Sequence, residues 1–106
     1  MATGVFGRFD LVTDTDTVIY TVPENTFSIV TLNICNRSAG TAGINIAISS
    51  TQTIEVADYL EFNTQLVPNG VLERSGIVLD GGYSLMVRAD VANITAIAYG
   101  IETSTL

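Results

Sequence analysis

The segment from residue 67 to residue 90, VPNGVLERSGIVLDGGYSLMVRAD, alternates short apolar runs with tight-turn pairs. Asn69-Gly70 and Gly81-Gly82 are such pairs, because Asn and Gly tolerate the positive φ angles that two-residue turns need. Residues 83–89, YSLMVRA, then place an apolar residue at every second position. Period-two alternation is the pattern of a half-buried strand. The segment therefore predicts antiparallel β-sheet.

Other parts of the chain carry the same strand signal. They are residues 17–23, 26–37, 44–50, 58–66 and 93–102. Seven or eight short strands with regularly spaced turns are typical of a β-sandwich or jelly roll. We therefore predict an all-β fold, an antiparallel β-sandwich that is jelly-roll-like and has seven to eight short strands. Helical patterning is weak, and we expect at most a single turn around residues 54–58.

The long run TFSIVTLNIC interrupts its own alternation. Phe27 and Ile29 share one parity, whereas Val30, Leu32 and Ile34 share the other. A phase shift inside one strand predicts a bulge or a change of face.

Residues 58–66, DYLEFNTQL, alternate without such an interruption. We expect Leu60, Phe62, Thr64 and Leu66 to lie on one face of this strand, and the residues between them to lie on the other.

The length of 106 residues is that of one domain, and the apolar fraction of 47% is typical of a folded core. We divide the chain into residues 1–16, an N-terminal arm that orders on assembly, and residues 17–106, the β-sandwich domain. The first residues lack the basic and apolar regions of a secretory signal, so none is expected. No apolar run approaches the roughly 20 residues that span a bilayer.

The charge balance is strongly acidic. Eleven Asp and Glu residues against four Arg residues give a formal net charge of −7, and the chain has no Lys and no His. Binding to a nucleic-acid backbone draws on clustered Lys and Arg, and anionic membrane surfaces attract the same residues. We therefore expect neither a nucleic-acid partner nor a membrane partner. The net negative charge favours solubility.

The sequence offers few groups for catalysis or for cofactor binding. The absence of histidine removes the commonest general base and the commonest metal ligand. Cys35 is the single cysteine, so zinc motifs built on cysteine pairs are impossible. We expect its thiol to be buried as a small hydrophobe. We predict no catalytic residue, no cofactor and no metal site, and hence a protein that is not an enzyme.

Two groups of acidic residues leave alternatives open. Asp10, Asp14 and Asp16 could supply oxygen ligands to calcium, but their spacing is not that of an EF-hand loop. We expect a solvated, turn-forming loop there, with a calcium site as the alternative. Two of Glu55, Asp58 and Glu61 could act in glycoside hydrolysis only across a cleft, and the strand pattern predicts that Asp58 and Glu61 point to opposite faces.

Two segments resemble recurring parts of small β-sandwich structural proteins of tailed bacteriophages. In those proteins, a Tyr-Thr-Val-Pro strand precedes a long strand that ends in Ile-Cys-Asn-Arg, as in YTVPENTFSIVTLNICNRS at residues 20–38. An Asn-Gly turn then leads to a Gly-Ile-Val-Leu strand and a Leu-x-Val-x-Ala strand, as within residues 57–102. The resemblance covers roughly residues 17–102. It implies a structural component located in the virion of a phage that infects cyanobacteria or other marine bacteria.

The resemblance leaves the position on the particle open, since its motifs specify strands and turns. Our specific hypothesis is a capsid decoration, or cement, protein. It would bind the major capsid protein or other virion proteins and form a homo-oligomer, with a trimer favoured. Phe6, Arg8 and Phe9 are the candidate contact residues in the arm. The alternatives are a neck, tail or fibre component, and a carbohydrate- or receptor-binding module.

Overall fold

Two four-stranded antiparallel sheets pack face to face as a sandwich. The structure is a computed structural model and describes residues 3–106. Its strands are β1 (Thr3–Asp10), β2 (Thr17–Thr21), β3 (Thr26–Asn36), β4 (Ala42–Ser49), β5 (Tyr59–Leu66), β6 (Val71–Asp80), β7 (Ser84–Ala89) and β8 (Ile94–Ser104). The order is β1-β8-β3-β6 in the first sheet and β2-β7-β4-β5 in the second. The predicted all-β, antiparallel β-sandwich is confirmed.

Most connections carry the chain from one sheet to the other. Only β4 and β5 are consecutive strands of the same sheet, and a single 3-10 turn, Val56–Asp58, lies in the loop between them. Asn69 and Gly82 have the expected positive φ angles of 61° and 89°. Each of these two turns nevertheless links strands of different sheets, so both are corners of the sandwich. Residues 3–106 include no helix long and apolar enough to cross a bilayer.

The ladder between β3 and β8 runs without a register shift from the Thr26–Ser104 pair to the Asn36–Ile94 pair. Along both strands, even-numbered residues point into the sandwich and odd-numbered residues point outward. The fully buried apolar side chains on these strands are Val30, Leu32, Ile34, Ile94, Ala96 and Ala98. Because β3 keeps this parity throughout, the predicted change of face within it is wrong. Phe27 and Ile29 are apolar residues of its outer side.

The irregularity that the β3 pattern predicted lies in the neighbouring strand. Val30 pairs with Ile77 and Leu32 pairs with Arg74, so β6 contributes one residue more than β3 between these pairs. Gly76 sits in this bulge with a φ of 70°, which glycine adopts without strain.

The second sheet closes the core from the other side. Its fully buried apolar side chains in the core are Ala42, Ile44, Ile46, Leu85, Val87 and Ala89. Side chains of the two sheets form one continuous hydrophobic cluster. The alternation predicted for residues 83–89 therefore places Leu85, Val87 and Ala89 in the core.

Strand β5 departs from its predicted alternation. The register shifts between Ile44 and Ile46 of β4, because β5 contributes an additional residue there. Asn63, next to the shift, has a φ of 52°. Leu66 stays in the core, but Phe62, which we predicted on the same face, is 68% exposed. The prediction was wrong for Phe62 because a bulge resets the phase of the strand.

The N-terminal region differs from the predicted arm at residues 1–16. Thr3–Asp10 forms edge strand β1, which pairs with β8, and Leu11 is buried in the core. A register shift between Val5 and Gly7 breaks the alternation of this strand. The shift explains why the sequence lacks a clear strand pattern there. The sandwich therefore includes residues from Thr3 onward, and residues 1 and 2 lie outside the described residues.

Asn36, at the end of β3, holds two connections in place from a fully buried position. Its Nδ2 donates to the carbonyl oxygens of Gly40 and Leu66, both at 2.9 Å, and to that of Val67 at 3.2 Å. Its Oδ1 accepts a hydrogen bond from the backbone N–H of Ser38 at 2.9 Å. One amide therefore joins the loop after β3 to the end of β5 and to the first residue after it.

We expect Asn36→Ala to lower the free energy of unfolding by about 2–3 kcal/mol, because the buried amide and the buried contact with the Leu66 carbonyl group are lost. Denaturant-induced unfolding measures this change. Asn33→Ala, an outward-facing position on the same strand, is the matched control and should change stability by about 0.5 kcal/mol or less. Equal losses for the two variants would show that the Asn36 side chain does not hold the loops.

Candidate interaction surfaces

The outer side of the first sheet carries a contiguous set of apolar side chains. We call this set the apolar face, and its members are Val5, Phe27, Ile29, Val78, Tyr99 and Ile101. Directly paired residues on neighbouring strands point to the same side of a sheet. The register therefore places Thr3, Ile101, Ile29 and Val78 in one row across all four strands.

The apolar face stays exposed in the folded chain. Val5 is 66% exposed and Val78 is 62% exposed, and these two residues lie on the two edge strands of the sheet. Single exposed apolar residues are normal on protein surfaces. A contiguous patch marks a site of interaction with another molecule.

Two opposite charges, Arg8 and Glu73, lie on the same outer side of the sheet, in a row beyond the apolar face. Arg8 pairs with Ile97, Ile97 pairs with Asn33, and Asn33 pairs with Glu73. Arg8 and Glu73 thus lie at the same height on opposite edges of the sheet. Both are exposed, and neither makes an ion pair with another of residues 3–106.

The second sheet presents a smaller apolar surface, which we call the Phe62 corner. Val56, Tyr59 and Phe62 line a shallow apolar hollow there. The rings of Tyr59 and Phe62 meet edge to face, with centroids 4.9 Å apart, and Val56 is 93% exposed. Tyr59 pairs with Ala47 of β4, which places this corner on the outer side of its sheet.

A polar cleft borders the Phe62 corner. It is lined by Gly43, Asn45, Phe62, Asn63, Arg88 and Asp90. Several of its polar groups already bond within the chain: Asp90 Oδ1 accepts from the Gly43 N–H at 2.8 Å, and Asn45 Oδ1 accepts from the Asn63 N–H at 2.6 Å. The bond from Asn63 fixes the bulge of β5 against β4, and the bond to Asp90 joins the end of β7 to β4. Phe62 stays exposed beside the cleft.

The three predicted contact residues do not form one surface. Phe6 stacks inside the sandwich on Tyr20, with ring centroids 4.3 Å apart and planes 14° apart. Phe9 pairs with Ala96, an inward-facing residue, whereas Arg8 pairs with the outward-facing Ile97. Only Arg8 therefore belongs to the outer side of the first sheet.

Tyr20 connects the two sheets through a buried polar cluster. Its hydroxyl donates to the carboxylate of Glu102 and lies 2.6 Å from Ser28 Oγ. Glu102 and Ser28 are buried on β8 and β3. Burial, followed by the hydrogen bond to Glu102, raises the pKa of Tyr20 to about 12. The folded protein therefore favours the neutral phenol.

This pKa shift predicts a loss of stability in strong alkali. The pKa of Tyr20 rises from 10.0 to about 12 on folding, so the stability it contributes is present below pH 10 and is lost as the pH approaches 12. We expect the free energy of unfolding to fall more steeply over this range in the wild type than in Tyr20→Phe. Denaturant titrations at several pH values measure the difference. Because the other tyrosines are present in both proteins, parallel declines would contradict the prediction.

The acidic residues that we considered for calcium binding face arginines. Asp10 Oδ1 lies 2.7 Å from Arg37 Nη2. Asp14 and Asp16 lie 3.9 Å and 3.7 Å from guanidinium nitrogens of Arg88. Within residues 3–106, no group of three or more acidic or cysteine side chains is placed to hold a metal ion.

The two carboxylates considered for hydrolysis, Asp58 and Glu61, also bond to other groups of the chain. Glu61 forms an ion pair with Arg74, and Asp58 Oδ2 accepts from the Glu55 N–H at 2.9 Å in the 3-10 turn. Cys35 has the outward parity of β3 and is only half-buried, in contrast to the buried thiol that we predicted.

The apolar face is not among the features predicted from the sequence. Its signal was present, because Phe27 and Ile29 share the odd parity of β3, and Tyr99 and Ile101 share the odd parity of β8. We interpreted the first of these patterns as a phase shift. The pairing of the two strands is needed to see that both sets of residues lie side by side.

No family model matches the sequence, and no curated protein matches it. Among solved structures, the chain is similar to two crystal structures of a pentameric capsid protein isolated from metagenomic phage sequences. Each match has 20% sequence identity and a TM-score of 0.45, and covers 93% of this chain. This chain spans 64% of the length of those chains.

Proposed function

We propose that this chain is a structural subunit of a tailed-phage virion, and specifically a capsid decoration protein. It would bind the major capsid protein or another virion protein on the outer shell, as a homo-oligomer. The observation that carries the proposal is the presence of two exposed apolar surfaces on opposite sides of one sandwich, the apolar face and the Phe62 corner. Two such surfaces allow a subunit to contact a neighbouring copy and the shell at the same time.

The edge strands are irregular, which favours association with other subunits through the faces of the sheets. The four ladders that include an edge strand, β1–β8, β2–β7, β3–β6 and β4–β5, all contain a register shift. The two interior ladders, β3–β8 and β4–β7, contain none. Bulges at an edge disfavour the addition of a further strand. A subunit of this kind assembles through its side-chain surfaces, not by extending its sheets.

The resemblance of residues 20–38 and 57–102 to small structural proteins of tailed phages supports the same role. So does the chemistry of the described residues, in which the acidic groups considered for metal binding or hydrolysis are bonded to arginines or to backbone.

The copy number in the virion tests the proposal. Quantitative mass spectrometry of purified virions gives the number of copies of this chain relative to the major shell protein. A number comparable to that of the shell protein supports decoration. A small multiple of the tail symmetry would assign the chain to the neck, tail or fibres and overturn the decoration role. Absence from virions would overturn the virion role itself.

We expect Phe62→Ser to weaken binding of the purified protein to shells that lack it by about tenfold or more. Removing a buried aromatic contact costs about 1.5–3 kcal/mol, and about 1.4 kcal/mol corresponds to a factor of ten. Co-sedimentation with shells measures the affinity. Val12→Ser is the matched control, because Val12 is exposed and belongs to neither surface. Identical binding by both variants would exclude the Phe62 corner as a shell contact.

A carbohydrate-binding module is the second candidate function. The observation that favours it is the exposed ring of Phe62 beside the polar cleft with Asn45 and Arg88. Aromatic rings and polar groups at one cleft suit a sugar ligand. A glycan array distinguishes the candidates: binding that Phe62→Ser abolishes supports the module, and an array without binding removes it.

A further inference from the structure

We propose that the apolar face is the interface between two copies of this chain, packed sheet against sheet. The two-fold axis of this pair runs parallel to the strands, midway between β8 and β3. The inference goes beyond the proposed function and does not depend on it, because it rests on the arrangement of charge and apolar side chains on a single sheet.

The positions of Arg8 and Glu73 suit a two-fold pair of copies. They occupy opposite ends of one row, with Ile97 and Asn33 between them. Neighbouring strands lie about 4.8 Å apart, so the outermost strands of the sheet are separated by about 14 Å. The two side chains are therefore too far apart to pair within one copy, and each remains free for a partner.

The two-fold axis brings these opposite charges together. An axis along the strands places β1 of one copy over β6 of the other, and β8 over β3, without changing the height along the strands. Arg8 of each copy then lies opposite Glu73 of the other copy, which gives two reciprocal ion pairs. Packed sheets are about 10 Å apart, a gap that these two long side chains bridge together.

The same axis brings apolar side chains of the two copies into contact. Ile101 of one copy packs over Ile29 of the other, and Tyr99 packs over Thr31. Val78 lies over Thr3 at the rim. A two-fold interface uses one surface twice, so each of these contacts occurs in both directions. Apolar residues therefore meet at the centre, and the two ion pairs flank them at the opposite edges of the sheets.

The charge pattern selects a second copy as the partner. An unrelated partner would need its own pair of opposite charges at this spacing, whereas the chain already carries the complement of its own face. The net charge of −7 opposes association at long range. At 0.15 M ionic strength, the Debye length of about 8 Å screens this repulsion. The trimer that we predicted from the sequence is the competing assembly, since a three-fold axis cannot pair a face with itself.

Sedimentation analysis of the full chain at 0.15 M salt tests the proposal. We expect the wild type to form dimers. Arg8→Glu and Glu73→Arg should each weaken the dimer by about tenfold or more, because each places like charges opposite one another at two sites. The double variant, Arg8→Glu with Glu73→Arg, should restore the affinity to within about threefold of the wild type, since it restores both pairs with reversed polarity. Circular dichroism confirms that each variant is folded.

Two controls separate this interface from general effects of charge and hydrophobicity. Glu55→Arg, in the loop beside the second sheet, makes the same change in net charge as Glu73→Arg, and it should leave the dimer intact. Ile29→Ser should weaken the dimer, whereas Val12→Ser, an exposed position outside the face, should not.

Several results would overturn the proposal. They are a wild type that is monomeric at its highest soluble concentration, an oligomer that the charge reversals leave unchanged, and single reversals that the double variant does not rescue. Each concerns the purified chain alone. The copy number in virions therefore remains an independent test of the proposed function.

Discussion

The uninterrupted register between β3 and β8 is the constraint on which the rest of the structure depends. It assigns the even positions of both central strands to the core and the odd positions to the outer side. A slip by one residue would exchange the two sets and expose Leu32 and Ile34. Gly100 helps to fix this register, because a Cβ atom at that position would collide with the carbonyl oxygen of Ile29. The core and the apolar face are thus two consequences of one ladder.

The edges of the sandwich follow the opposite rule. Each edge strand breaks its register once or more, as at Gly76 in β6 and next to Asn63 in β5. A bulge twists the edge and displaces the groups with which another strand would pair. It also changes which side chains point outward, and it is the bulge in β5 that exposes Phe62. Irregular edges therefore protect the sandwich from uncontrolled strand addition while they create part of its usable surface.

Most strands could be predicted from the sequence, but their arrangement in the two sheets could not. Alternation is local, so the strands near Ile44 and Leu85 could be predicted from a few neighbouring residues. The turns at Asn69 and Gly82 specify a positive φ, but that angle does not determine whether the next strand joins the same sheet. Strand β1 escaped prediction because its bulge removes the alternation. The apolar face could not be predicted because it is built by pairing between distant strands, and the outward position of Arg8 depends on the same pairing.

The arginines show how this acidic chain uses its few positive charges. Arg37 bonds to Asp10 and so joins the end of β3 to the end of β1. Arg74 bonds to Glu61, which connects β6 of the first sheet to β5 of the second. Arg88 faces the acidic loop between β1 and β2. Each of these three links segments that are separate in the sequence. Among residues 3–106, Arg8 is the arginine without such a link, and it stands on the one broad apolar surface of the sandwich. A bond from Arg8 to Glu73 of a second copy would connect two copies in the same way that the other three arginines connect segments of one copy.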